Sequence, residues 1–136
     1  MKNYVLDSYG VLAYFQDEAG AGEVEGLLAR AAAGEIALFL SAVNLGEAAY
    51  IVSRKAGPEK RDFFLLAVDA LPLRVVDADK PLALTAAEFK ADLPIAFADS
   101  FALAPAKLLG GTVVTGDPEF KRAERFVPVF WLPAKT

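Results

Sequence analysis

The sequence predicts a three-layer α/β/α domain, with a mostly parallel central sheet of four to five strands between layers of helices. Three observations carry that reading. Strand-length apolar runs such as "IALFL" (36–40) and "TVVT" (112–115) are continuous rather than alternating, as expected of strands buried on both faces. Between such runs lie longer stretches with apolar residues at helical spacing. No repeat, low-complexity tract or linker divides the chain, so residues 1–136 read as a single domain.

Each element has its own signal. Tyr4-Val5-Leu6 is a first strand ending at Asp7, and an apolar helical stretch follows from about Ser8 to Phe15. Residues 20–35 are rich in Ala, Leu and Glu, with Val24, Leu27 and Leu28 on one face and Gly34 as the expected stop. After "IALFL", Ser41 is placed to cap a helix through "AVNLGEAAYIVSRKA", which Gly57-Pro58 ends. A helix over about 59–70 leads to the strand "LRVV" (73–76), and Asp79 can cap the next helix, 80–91. Residues 94–111 read as a loop and then a helix opening near Ala98–Asp99 and closing at Gly110-Gly111. "TVVT" and "FVPVFWL" (126–132) supply the last strands.

Composition removes whole classes of chemistry. With no cysteine there are no disulfides, thiolate nucleophiles or cysteine metal sites, and with no histidine there is no Ser-His-Asp triad and no ordinary zinc centre. Catalysis must rest on carboxylates, hydroxyls, Lys, Arg, or a hard cation held by oxygen. No uncharged apolar run approaches the roughly 18 residues of a membrane span. Asp7 breaks the apolar start where a signal peptide would need its apolar core, so a cytoplasmic protein is expected. At 55% hydrophobic residues and a mean hydropathy of +0.36, some apolar surface is left for an interface.

Four acids stand out by position. Asp7 follows the first strand, and Asp117 ends the strand run "TVVTGD", so both fall at the carboxyl ends of strands, where parallel sheets bind ligands. Glu47 lies one helical turn after Asn44 among mostly apolar neighbours, and Asp99 opens the apolar helix of "FADSFAL". Taken singly, each has an ordinary explanation as a cap, a turn residue or a solvated charge. Crowded together, they would need protons or cations between them.

The placement of these acids resembles the PIN-domain ribonucleases, particularly the toxin subunits of VapBC-type toxin–antitoxin pairs. The resemblance rests on "YVLDSYGVLAYF", "LSAVNLGEAAYIVSR", "ADSFALAPAKLLGGTVVTGDPEF" and the closing apolar strand, and spans essentially the whole chain. It implies a PIN-like fold and one metal site formed by Asp7, Glu47, Asp99 and Asp117, with Asn44 and Thr115 in supporting positions. It further implies Mg²⁺, with Mn²⁺ as a substitute, an RNA substrate, a VapB-like antitoxin and a homodimer. On this reading Asp7 and Asp99 anchor the metal, Glu47 holds it through water or orients the nucleophile, and Asp117 supports an outer position. The formal charge of −4 equals the charge of those four acids, since the other fourteen Asp and Glu balance fourteen Lys and Arg.

One residue departs from the pattern. Pro105 falls six residues after Asp99, where the family has an uninterrupted helix, and is expected to kink it. Ser8 and Ser100, each directly after a site acid, read as caps or hydrogen-bond donors rather than nucleophiles. Basic clusters at Arg54-Lys55, Lys60-Arg61 and Lys121-Arg122 with Arg125 could meet phosphates or simply face water. Three other functions compete with the toxin. A degenerate PIN domain could serve as an RNA- or protein-binding scaffold, and a housekeeping PIN nuclease would carry the same acids. A phosphatase with Asp7 as nucleophile would want a second acid two residues on, where this chain has Tyr9.

Overall fold

The computed structural model describes residues 1–133. Five strands form one sheet in the order β3-β2-β1-β4-β5, every neighbouring pair parallel. They are β1 (Lys2–Leu6), β2 (Ile36–Ser41), β3 (Arg74–Val76), β4 (Thr112–Thr115) and β5 (Val129–Trp131). The helices are α1 (Ser8–Phe15), α2 (Ala21–Ala32), α3 (Ala42–Ala56), α4 (Pro58–Asp69), α5 (Lys80–Asp92) and α6 (Phe97–Leu109), with a 3-10 helix at Pro118–Arg125. Among the described residues no helix is long and apolar enough to cross a membrane.

The alternation of side chains along each strand divides the core into two layers. On one face Tyr4 and Leu6 of β1, Leu38 and Leu40 of β2 and Val114 of β4 pack against Val11, Leu27, Ala48 and Phe64 from helices α1 to α4. On the other, Val5 and Val113 meet Phe89 of α5, Leu103 of α6 and Phe120 of the 3-10 helix. Both faces are therefore dry over Tyr4–Leu6 of β1 and Val113–Thr115 of β4, which is why those stretches lack a polar alternation.

The expected elements appear within a few residues, and the exceptions have local causes. The closing strand is only Val129–Trp131, shorter than 126–132, because Phe126 and Val127 still donate their N–H groups to Ala123 O as the 3-10 helix ends. That helix has no 3.6-residue apolar period; Phe120 and Ala123 instead recur at three residues, the repeat of a 3-10 turn, and both are fully buried. Pro105 lies inside α6, which continues for four residues beyond it. Gly57 supplies the left-handed turn between α3 and α4 at φ 91°, and Pro58 then starts α4.

Gly111, at the entry to β4, has a steric requirement: a Cβ there would lie 2.7 Å from the backbone oxygen of Asn3. Gly111→Ala should therefore force β4 away from β1 and destabilise the protein by about 1–3 kcal/mol. Chemical denaturation of the two proteins side by side measures this; equal midpoints would show that the strand entry has slack.

Candidate metal centre

The strand order reverses at β1, since β2 and β3 extend to one side of it and β4 and β5 to the other. At such a reversal the loops leaving the two central strands diverge and open a crevice. Asp7 follows β1, Thr115 ends β4 and Asp117 lies two residues on; α3 leaves the end of β2 with Glu47 in its second turn, and Asp99 sits in the first turn of α6. Topology alone carries the four acids to one edge.

Asp7 is the floor of the site, 2% exposed. Its Oδ1 accepts the Gly10 N–H at 2.8 Å, which caps α1, and its Oδ2 accepts the Thr115 hydroxyl at 2.5 Å. Thr115 Oγ1 in turn accepts the Asp117 N–H at 3.0 Å. Asp117 Oδ1 accepts the Glu119 N–H at 2.9 Å and so caps the 3-10 helix. Between Thr115 and Asp117, Gly116 lies under the ring of Tyr9, leaving no room for a side chain: a Cβ would be 2.3 Å from the ring.

The other wall is set by two further contacts. Ser8 donates its hydroxyl to Glu47 Oε1, linking the start of α1 to α3. Asn44 is fully buried: its Nδ2 donates to Ala98 O at 2.9 Å, and its Oδ1 accepts the Ser41 hydroxyl at 2.9 Å. Ser41 Oγ also accepts the Asn44 N–H at 3.0 Å and caps α3. Asn44 thus fixes the first turn of α6, and with it Asp99, against the end of β2. Ser100, beside Asp99, turns its hydroxyl back to Phe97 O.

Electrostatics follow from this crowding. Burial pushes the Asp7 carboxyl up from 3.8 to about 7, with Asp99 and Asp117 adding to the rise against the hydrogen bonds from Thr115 and Gly10. Burial likewise raises Asp99 to about 7, helped by Asp117, Glu47 and Glu119. Carboxyl groups held this close resist full ionisation near neutrality unless a cation joins them. Ligand oxygens of Asp99, Asp117 and Glu119 all lie within 4.8 Å of one another. The donor set is entirely oxygen, which fits a hard divalent cation such as Mg²⁺ or Mn²⁺.

Glu119 was not among the four acids singled out in the sequence. The signal was present in "DPE": with Asp117 as the cap, Glu119 falls in the first turn of the 3-10 helix and returns to the same edge. The cleft above the acids has a volume of about 370 Å³ and is lined by Ser8, Tyr9, Glu47, Asp99, Asp117 and Glu119, and it runs on to Gln16 and Lys55.

Residues 4–125 match the family model of the PIN domain. No curated protein sequence matches the chain significantly. Among solved structures the chain is similar to VapBC2 from Rickettsia felis bound to a fragment of its promoter DNA, with a TM-score of 0.75, 20% identity, and coverage of 96% of this chain and 98% of that one. It is similar to the sarcin-ricin loop cleaving toxin VapC20 from Mycobacterium tuberculosis, with a TM-score of 0.69, 18% identity, and 88% and 94% coverage. FitAcB from Neisseria gonorrhoeae matches with a TM-score of 0.67, 23% identity, and 93% and 96% coverage.

Two outcomes are expected of the site itself. Asn44→Ala leaves Ala98 O without its buried donor and should cost about 1–3 kcal/mol in urea unfolding, with weaker Mn²⁺ binding in calorimetry. The raised carboxyl groups also set a pH dependence. Unfolded, Asp7 and Asp99 lose their protons near pH 4, but folded only near 7, so the folded state binds more protons between those values. Stability therefore falls as pH rises across that window. In EDTA, Tm should drop between pH 4.5 and 7.5. Asp7→Asn should flatten that drop and raise Tm at pH 7.5, by about 4 °C for each kcal/mol recovered. A wild-type Tm that climbs across this range would contradict the arrangement.

Proposed function

The chain belongs to the PIN domain family, and we propose that it is a divalent-metal-dependent endoribonuclease, the toxin half of a type II toxin–antitoxin pair. The observation that carries this reading is the convergence of carboxylates at the reversal of strand order, two of them raised to about 7, with no cationic side chain paired to them among the described residues. A cluster that weakens the bare fold needs a function, and holding a cation is the function its oxygens suit.

Asp7, Glu47, Asp99 and Asp117 would hold the metal, Mg²⁺ with Mn²⁺ as substitute, and Glu119 would join them from the rim. When bound, the ion lowers the pKa of water and neutralises charge on the reacting phosphodiester. The chain's own groups prepare the rest. Thr115 and Gly10 hold both oxygens of Asp7 in one orientation. Ser8 engages Glu47 Oε1, which leaves Oε2 to accept a proton from the attacking water. The attack would form the new phosphorus–oxygen bond as the bond to the leaving ribose oxygen breaks, and that oxygen would take its proton from solvent water. No histidine is required.

The toxin assignment is supported by the VapBC complexes among the structures the chain is similar to. On this reading a VapB-like antitoxin silences the site in the cytoplasm and two copies of the chain associate. Apolar side chains left in solvent, including Tyr50 and Phe97 at 50% and 54% exposure, support such contacts.

The decisive experiment incubates total cellular RNA with the protein and Mg²⁺ and maps new 5′ ends by sequencing, with Asp7→Asn as control. Discrete ends that depend on Asp7 are expected, with a rate loss beyond the roughly 10- to 100-fold typical of removing an outer metal partner. Identical end maps for the two proteins, in Mg²⁺ and in Mn²⁺, would leave a non-catalytic scaffold.

A further inference from the structure

Beside the acidic cleft lies a second groove of about 340 Å³, and Gln16 and Lys55 line both. Its walls are Val52 and Lys55 from the end of α3 and Lys60, Phe63 and Phe64 from the start of α4. Gln16, the C-cap of α1, marks the junction. Phe64 is buried and braced edge-on by Phe15, ring centres 4.9 Å apart. Phe63 is 70% exposed at the mouth. Lys55 and Lys60, one from each of the basic clusters on either side of the Gly57 turn, both line the groove. Among the described residues neither Lys55 nor Lys60 makes an ion pair.

We propose that this groove is a nucleotide subsite: it takes an unpaired base of the RNA beside the scissile bond, stacked on Phe63, with the adjoining phosphates on Lys55 and Lys60. The proposal rests on the ribonuclease reading and adds to it where the strand runs. Three observations favour RNA. The groove adjoins the acidic cleft, with Gln16 and Lys55 lining both. Along α3, Glu47 and Lys55 are about 12 Å apart at 1.5 Å per residue, within reach of nucleotides neighbouring the cut. An exposed aromatic ring lining the same groove as two ammonium groups that make no ion pair among the described residues is the combination that single strands use, stacking for the base and charge for the backbone. Because only an unpaired base can stack there, the site favours single-stranded segments over duplex.

The test uses Asp7→Asn protein, which should bind RNA without cutting it, and short fluorescent homopolymer RNAs, single-stranded and annealed. Lys55→Ala with Lys60→Ala should weaken single-strand binding and reduce the slope of log affinity against log salt by about 1.4, two phosphate contacts at roughly 0.7 each. Phe63→Ala should weaken it about 5- to 150-fold with the slope unchanged, and leave duplex binding as it was. Unchanged single-strand affinity in both variants overturns the subsite. So does an equal loss on duplex and single strand for Phe63→Ala, or retained RNA binding together with lost binding of the co-encoded antitoxin. If the wild-type protein also cuts no RNA, the ribonuclease reading falls as well; if it cuts while the variants bind normally, only the subsite does.

Discussion

The hydrogen bond from Thr115 Oγ1 to Asp7 Oδ2, 2.5 Å long, is the contact on which the geometry of this edge depends. Parallel pairing sets Leu6 opposite Val114, so the next residue of each strand, Asp7 and Thr115, leaves the sheet at the same level. The hydroxyl joins them across the gap where strand order reverses, and the same oxygen takes the N–H of Asp117. The chain leaving β4 is thereby aimed before it turns. From that aim follow the cap on the 3-10 helix, the return of Glu119 to the acids and the burial of Phe120. Valine at 115 would keep the strand and lose all of this direction, because it could neither donate to the carboxylate nor accept from the backbone.

Like charges this close oppose folding, and the fold absorbs them in two ways. Apolar layers on both faces of β1 and β4 supply the driving force. The acids also take ordinary structural roles: Asp7 caps α1 and Asp117 caps the 3-10 helix, each through Oδ1. In Asp117 the cap occupies Oδ1 alone, whereas Asp7 also accepts the Thr115 hydroxyl at Oδ2, and each ionised oxygen keeps a further lone pair. Capping and cation binding are therefore compatible uses of one carboxyl group.

That overlap explains what was legible in the sequence. Parallel β architecture was readable because buried strands are uninterrupted apolar runs, and helix starts were readable because Ser41 and Asp79 are strong caps. The acids were readable as positions after strands and at helix starts. Their separate roles were not, since a cap and a ligand have the same residue type at the same place. The 3-10 helix was hidden by its three-residue period, and Glu119 with it: its relation to Asp99 is a distance across the fold, not a spacing along the chain. The tie from Asn44 to Ala98 O, 54 residues away, was equally invisible, although the position of Asn44 one turn before Glu47 was not.

Arg54 and Lys55 sit in the final turn of α3, where the helix dipole favours cations, and need no ligand to explain them. Lys60 and Arg61 are different. They occupy the first turns of α4, just after Pro58, at the positive end of that dipole, where a cation costs about 0.3–1 kcal/mol. Arg61 recovers part of this from Asp62 at 3.1 Å; Lys60 has no such partner among the described residues. An anion held near Lys60 would offset that cost, because the same N-terminal dipole that disfavours the lysine attracts a phosphate.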